Sequence, residues 1–138
     1  MYLTYDEYIG FGGTLDDSTF NDLAFGAEVT INYATFNRLV GETVIPKAVK
    51  RLMAHLIEMA HKKADAMSLG HSSEDGSGSK YVTSQSNDGV SVSYNGMAST
   101  DLYALCEKDV QTSIKTYLYG LKNSKGYNLL YRGLYPGE

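Results

Sequence analysis

Three histidines and the carboxylates near them are the residues best suited to acid–base or metal chemistry. His55, Glu58 and His61 follow one another at intervals of three residues, whereas two histidines that hold zinc on one helix are four residues apart. The helical repeat leaves His55 and His61 about 120° apart. His71 follows in a Gly/Ser-rich stretch without a neighbouring ligand. We therefore predict solvated histidines on a polar helix face, and no metal site.

Other residue types with chemical potential also have simpler interpretations. Cys106 lies on an apolar helix seam, whereas a catalytic thiol needs a base and an electropositive setting. The stretch 75–80 (DGSGSK) lacks the spacing of a phosphate-binding loop, and no apolar strand leads into it. The adjacent acids Asp16-Asp17 and Glu74-Asp75 project in different directions and suit a helix cap and a solvated turn. The sequence therefore predicts no catalytic residue and no cofactor, so we expect the protein not to be an enzyme.

Composition narrows the class of protein. The chain has 138 residues, of which 43% are apolar and 20% charged, values typical of one soluble globular domain. Its formal net charge of −4 argues against electrostatic capture of nucleic acid, because that needs a concentrated basic surface. We expect no membrane span, no secretory signal and, with one cysteine, a reducing compartment. Twelve tyrosines beside no tryptophan favour a protein rich in contact surfaces.

Hydrophobic periodicity predicts a mainly all-α fold, a small four-helix bundle with a β-hairpin excursion between the third and fourth helices. We treat residues 1–138 as a single domain. The predicted helices cover about residues 4–10, 15–39, 44–68 and 99–122. Thr4 and Glu7 form a capping box, the stretch 14–17 repeats that signal, and Gly41 can end the second helix. Pro46 suits the first turn of the third helix, and Thr43 can cap it.

The second helix is apolar on two sides. One side carries a core stripe at helical spacing, made of Phe20, Leu23, Ala24, Ala27, Ile31 and Ala34. Near the opposite side lie Phe25, Val29 and Phe36. Such a helix is either sandwiched within a bundle or covered by a neighbouring subunit. Both alternatives stay open from the sequence.

Two further segments indicate interaction surfaces. Residues 80–95 alternate as a hairpin around Asp88-Gly89, with Tyr81 and Val82 on one strand and Val90, Val92 and Tyr94 on the other. An isolated hairpin is marginal in water, so this one either orders against something else or is a surface excursion. The C-terminal segment, residues 123–138, either meets a partner or folds back over the bundle. Its candidate contacts are Tyr127, Leu129, Leu130, Tyr131, Arg132, Leu134 and Tyr135.

Several motifs, taken in order, resemble the head–tail connector (head-completion, or adaptor) proteins of long-tailed bacteriophages. They are Gly-Gly-Thr-Leu-Asp at 12–16, the helix ending ATFNRL at 34–39, the hairpin TSQSNDGVSVSY at 83–94, and LLYRG at 129–133. The hairpin is the most telling of these. The resemblance extends over nearly the whole chain.

The resemblance implies a structural virion protein of the head–tail junction that is made in the host cytoplasm. Family members form rings, commonly of about a dozen copies, that dock beneath the portal, extend the DNA channel and offer a platform to the next neck or tail protein. The family's portal-contacting segment would correspond to residues 127–135. The hairpin would lie at ring contacts or the channel wall, and DNA would pass without sequence-specific binding. An acidic subunit suits such a channel, because a basic wall would hold phosphates.

Two alternatives remain from the sequence. The protein could act on the tail side of the neck, as a completion or stopper protein. It could also be a small metal- or nucleotide-dependent enzyme, such as a hydrolase, that uses His55, Glu58 or His61.

Overall fold

The computed structural model describes residues 1–71 and 99–138, with side chains described for residues 1–68 and 104–138. This part of the chain is mainly helical, as predicted. The helices are α1 (Tyr5–Gly10), α2 (Asp17–Ala34), α3 (Lys47–His71) and α4 (Ser99–Leu118). The predicted hairpin at 80–95, with Tyr81, Val82, Val90, Val92 and Tyr94, lies outside the described residues.

Local capping signals set the starts of α1 and α2. Thr4 caps α1 in the predicted capping box, in which Thr4 Oγ1 accepts the Glu7 N–H and the Glu7 carboxylate accepts the Thr4 N–H. Asp16 caps α2 and accepts hydrogen bonds from the backbone N–H and the hydroxyl of Thr19. These bonds lower the pKa of the Asp16 carboxyl, led by the one from the Thr19 hydroxyl. Both caps use only neighbouring residues, and the sequence located the first correctly; the second helix was predicted to begin at about 15, whereas α2 begins at Asp17.

The prediction that the second helix extends to about residue 39 is wrong, because α2 ends at Ala34. Phe36 and Asn37 adopt positive φ angles of 53° and 59°, a left-handed conformation that no α-helix continues through. The Thr35 hydroxyl donates to the Ile31 carbonyl at 2.8 Å, and the Asn37 N–H donates to the Asn32 carbonyl at 2.8 Å. The chain therefore turns sharply after α2, and Phe36 and Arg38 belong to this turn instead of the helix.

The other helices also differ from the predicted bounds. α3 begins at Lys47, directly after Pro46, and runs to His71 instead of 68. Thr43 lies outside its first turn. α4 ends at Leu118 instead of 122, where Gly120 takes a positive φ of 73° and turns the chain into the C-terminal segment.

The chain divides into two compact units, and the first comprises Met1–Glu58 and Val110–Glu138. Its buried apolar side chains come from all four helices, from the N-terminus and from the C-terminal segment. They include Leu3, Tyr8, Phe20, Ile31, Leu52, Ile57, Leu118 and Leu129. The rings of Tyr5 and Tyr8 lie 5.4 and 5.0 Å from that of Phe20. An added Cβ at Gly13 would overlap the Tyr8 ring, so this core requires glycine there.

The second unit comprises Met59–Asp109. Its described part holds the end of α3 and the beginning of α4. Within it, His61 Nε2 lies 3.3 Å from the Asp65 carboxylate, one helical turn away. Among the described residues, no helix is both long enough and apolar enough to cross a membrane.

Candidate partner-binding surfaces

A buried arginine holds the C-terminal segment against the turn that follows α2. The Arg38 side chain is almost fully buried, and its guanidinium donates to the carbonyls of Asn128 at 2.9 Å, Leu129 at 3.5 Å, Gly133 at 2.6 Å, and Tyr131. Arg38 Nε lies 3.2 Å from the Glu138 carboxylate. We call this set of contacts the Arg38 clamp. It supplies the hydrogen bonds that a buried guanidinium requires.

Aromatic rings surround the same guanidinium. It lies 5.2 Å from the centre of the Phe36 ring and 5.0 Å from that of Tyr135, within the range of cation–π attraction. Tyr135 stacks on Tyr127 with ring centres 4.3 Å apart and packs against Tyr131 at 4.9 Å. Phe36, whose φ is positive, thus places its ring beside Arg38, as Tyr131 and Tyr135 do from the C-terminal segment.

The C-terminal segment also makes its own polar contacts. Leu129 N–H donates to the Leu121 carbonyl at 3.0 Å, beside an antiparallel bridge between Lys122 and Asn128. The Tyr135 hydroxyl accepts the Asn128 N–H at 3.0 Å. The Ser124 hydroxyl donates to Glu42 at 2.7 Å. The segment therefore has a defined conformation within the first unit, which is the folding back that the sequence left open.

These contacts divide the predicted partner residues of the C-terminal segment into two groups. Leu129 is fully buried, which corrects its prediction as a partner contact. Tyr127, Leu130 and Tyr135 are partly buried within the segment's own contacts. The exposed members are Tyr131, Arg132 and Leu134, and Leu134 is 82% exposed. Only the exposed group is free to meet another protein in this conformation.

The outer face of α2 carries large apolar side chains that the described residues leave uncovered. Phe25 is 72% and Tyr33 84% exposed, with Val29 between them. Asp22 is exposed on the same side, one turn before Phe25. We call Asp22, Phe25, Val29 and Tyr33 the outer face. Phe36, predicted as part of this surface, is exposed in the turn beyond the helix.

A surface pocket of about 220 Å³ lies between the end of α1, α3 and α4. Phe11 and Tyr117 form aromatic walls, with the Arg51 guanidinium 5.2 Å above the Phe11 ring and the His55 ring 5.8 Å from that of Tyr117. The remaining lining residues are Tyr8, Gly12, Gly13, Ala54 and Glu58. We call this the α3 pocket. It combines apolar walls with exposed Arg51 and His55 side chains.

The carboxylate in the α3 pocket is already engaged. The Tyr8 hydroxyl donates to Glu58 and accepts the N–H groups of Thr14 at 3.2 Å and Leu15 at 3.3 Å. Burial, followed by the hydrogen bond to Glu58, raises the pKa of Tyr8. Tyr8 and Glu58 together therefore connect the loop after α1 to α3, a structural role that the sequence did not indicate.

Two of the candidate chemical residues, His55 and Glu58, line the α3 pocket, whereas His61 belongs to the second unit. Among the described residues, no three His, Cys, Asp or Glu side chains are grouped to hold a metal ion. The side chain of His71 lies outside the described part. Cys106 is partly buried on α4.

Sequence reasoning missed the residues that organise these surfaces. Arg38 was considered only within the motif at a helix end, and its partners lie 90 to 100 positions away in the chain. Tyr33 was not assigned to the outer face, although it follows Val29 at helical spacing. Of these residues, only Tyr33 could have been found from the sequence, by extending the helical spacing of Phe25 and Val29 by one more turn.

The comparisons with known proteins add no relative to this description. No protein-family model matches the chain, and neither curated proteins nor solved structures include a significant match to it.

Proposed function

We propose that this chain is a subunit of the ring that connects the head and tail of a long-tailed bacteriophage, docking under the portal, extending the DNA channel and supporting the neck or tail. The observation that carries this proposal is the outer face of α2, because large exposed aromatic side chains in a row are typical of protein interfaces. The resemblance of the sequence motifs supplies the identity of the assembly. The bundle with its hairpin excursion is part of the same proposal.

In this proposal the C-terminal segment contacts the portal through the side chains that the Arg38 clamp leaves outside. Tyr131, Arg132 and Leu134 are exposed on one short stretch whose backbone is held in place. An aromatic ring, an arginine and a leucine together suit a protein contact. Holding their backbone in advance lowers the entropy lost on binding.

The described residues favour this role over the tail-side alternative. A stopper or completion protein of the neck is usually richer in strands, and the described part of this chain holds four helices and only an isolated bridge. One observation supports the enzyme alternative: two side chains with acid–base chemistry, His55 and Glu58, both line the α3 pocket. There, however, Glu58 already accepts the Tyr8 hydroxyl.

The test is electron microscopy of particles made by the parent phage after deletion of this gene. We expect filled or leaking heads beside separate, finished tails, and restored virions when the intact chain is supplied. Intact, infectious virions in the deletion would contradict the proposal.

Complementation with point variants then tests the portal contact. Arg132→Ser with Leu134→Ser should fail to restore head–tail joining while remaining folded, and Tyr119→Ser is the matched control because Tyr119 is 87% exposed outside this stretch. Deleting the C-terminal segment is the poorer test, because the deletion also removes Leu129 from the core and the carbonyls that Arg38 contacts. Full complementation by the double variant would exclude this stretch from the portal contact.

A further inference from the structure

We propose that the outer face of α2 docks into the α3 pocket of a second copy of the chain, with Phe25 in the pocket and Asp22 paired with Arg51. This inference rests on the proposed ring and identifies the two surfaces that would join its neighbours. Both surfaces belong to the first unit, and they share no residue. A contact between two different patches propagates from copy to copy and closes into a ring when its rotation allows.

The size of the α3 pocket favours a side chain as its occupant. At about 220 Å³, it is smaller than the roughly 300 to 1,000 Å³ of pockets that enclose small-molecule ligands. Its walls are the rings of Phe11 and Tyr117, with Arg51 at its rim. Aromatic rings pair favourably with one another and with a guanidinium. A phenylalanine presented on a helix meets each of these requirements.

The charges of the two surfaces are complementary. α2 carries the acids Asp17, Asp22 and Glu28 and no lysine or arginine. The first three turns of α3 carry Lys47, Lys50 and Arg51, and Lys50 pairs with Glu7. Arg51 stacks on Phe11, but no carboxylate of the described residues is paired with it. An acidic helix with an apolar outer face therefore suits the pocket beside Arg51, and this complementarity favours a second copy as the partner.

The arrangement of the outer face fits this docking. Asp22, Phe25, Val29 and Tyr33 succeed one another at spacings of three, four and four residues, so they form one line along the helix. With Phe25 in the pocket, Asp22 lies one turn away on the same side, within reach of an arginine at the rim. Val29 and Tyr33 extend the contact along the neighbouring surface.

Cross-linking tests the contact on the full chain. Asp22→Cys and Arg51→Cys are made separately in a Cys106→Ser background, given different tags, mixed at about 1 mM, a concentration that populates even a weak complex, and treated with a short bis-maleimide. We expect a product joining the two tagged chains, and none above background when Glu107→Cys, an exposed position on α4, replaces Asp22→Cys. The absence of a specific cross-linked product would overturn the proposal. A chain carrying both cysteines that cross-links only to itself, and so stays a monomer that has gained one linker, would also overturn it, because the two positions would then meet within one copy.

Charge reversal provides a second measurement. By sedimentation equilibrium, Asp22→Arg or Arg51→Asp should weaken self-association about tenfold or more, and the two changes together should restore it. Glu107→Arg is the control and should leave association unchanged. Single reversals without effect, or a double variant that is not restored, would overturn the pairing.

These results separate the contact from the proposed function. If the single charge reversals weaken self-association and the double variant restores it, but the chain does not join heads to tails, the contact stands and the proposed connector function is contradicted. If the chain joins heads to tails but the reversals at Asp22 and Arg51 do not affect each other in this way, only the proposed contact is contradicted.

Discussion

The C-terminal segment and the outer face of α2 are both rich in aromatic side chains, yet the first packs against its own chain and the second is exposed. The first is irregular, and several of its backbone carbonyls accept hydrogen bonds from the buried Arg38. The second is a helix whose backbone bonds are made within itself, and its Phe25 and Tyr33 side chains are exposed. An irregular segment must find partners for its backbone when it is buried, whereas a helix does not. Aromatic composition alone therefore does not reveal whether a segment's partner is its own chain or another.

Removing Arg38 should have the largest effect. Arg38→Ala leaves several carbonyls and the Glu138 carboxylate without their shared donor, and losing one side of a buried charged contact costs about 3–5 kcal/mol. Urea unfolding followed by circular dichroism measures this loss. Arg132→Ala, at an exposed position in the segment, should change the free energy of unfolding by less than about 0.5 kcal/mol. Equal losses in the two variants would contradict the Arg38 clamp.

Weakening one arm of the clamp should have a smaller effect. Glu138→Gln keeps the size of the side chain but removes the charge opposite Arg38 Nε, while the carbonyl contacts of Arg38 remain. We expect a loss of about 1 kcal/mol, the order of one hydrogen bond to a charged group after partial solvation. Urea unfolding measures it, with Glu107→Gln as the control at an exposed carboxylate. A loss as large as that of Arg38→Ala would mean that the carbonyl contacts contribute little.

Acid should weaken the starts of α1 and α2. The hydrogen bond from Lys50, then the Thr4 N–H, lowers the pKa of Glu7, and the bonds from Thr19 lower that of Asp16. Because the folded values lie below the unfolded ones, this contribution is present above the ordinary values of 4.5 and 3.8 and is lost as pH falls through the folded values. Thermal unfolding between pH 6 and 2 measures it. Asp16→Asn retains a capping side chain and should flatten part of the slope; an unchanged slope in this variant would contradict the assignment to Asp16.

The outer face should affect folding least. Phe25→Ser should change the free energy of unfolding by less than about 0.5 kcal/mol, because the ring is 72% exposed. Phe20→Ser is the matched control on the same helix, and its buried ring should cost about 3–5 kcal/mol, as large-to-small core changes do. Urea unfolding of the two variants decides the comparison. A loss above 1 kcal/mol for Phe25→Ser would mean that another part of the chain covers this face.

What the sequence could predict was local. The caps at Thr4 and Asp16 depend on residues three positions away, and the core stripe of α2 through Phe20, Ala24, Ala27 and Ile31 follows from the helical repeat. On α4, spacings of three and four residues predict an apolar seam through Tyr103, Cys106, Val110, Ile114, Tyr117 and Leu121. Ile114 is buried as this seam requires, whereas Leu118 is fully buried although it lies outside the predicted set. Amphipathic periodicity therefore finds a helix more reliably than it finds each of its core positions.

What the sequence could not predict was distant or strained. Nothing in the stretch around Arg38 shows that its donors meet carbonyls some 90 residues later. The left-handed pair Phe36 and Asn37 is retained only because the folded structure holds it, since each such residue costs on the order of 1–3 kcal/mol. Asparagine tolerates this conformation better than phenylalanine does. The early end of α2 was therefore beyond local propensities.

The Arg38 clamp also bears on the order in which the protein folds. It joins positions 90 to 100 residues apart, so it closes a loop containing most of the chain, and such contacts carry a large entropic cost before they contribute. We therefore expect the clamp to form after the main barrier, once the helices have packed. Interactions made after the barrier slow unfolding without accelerating folding. We therefore expect Arg38 to govern how long the native state lasts more than how quickly it forms.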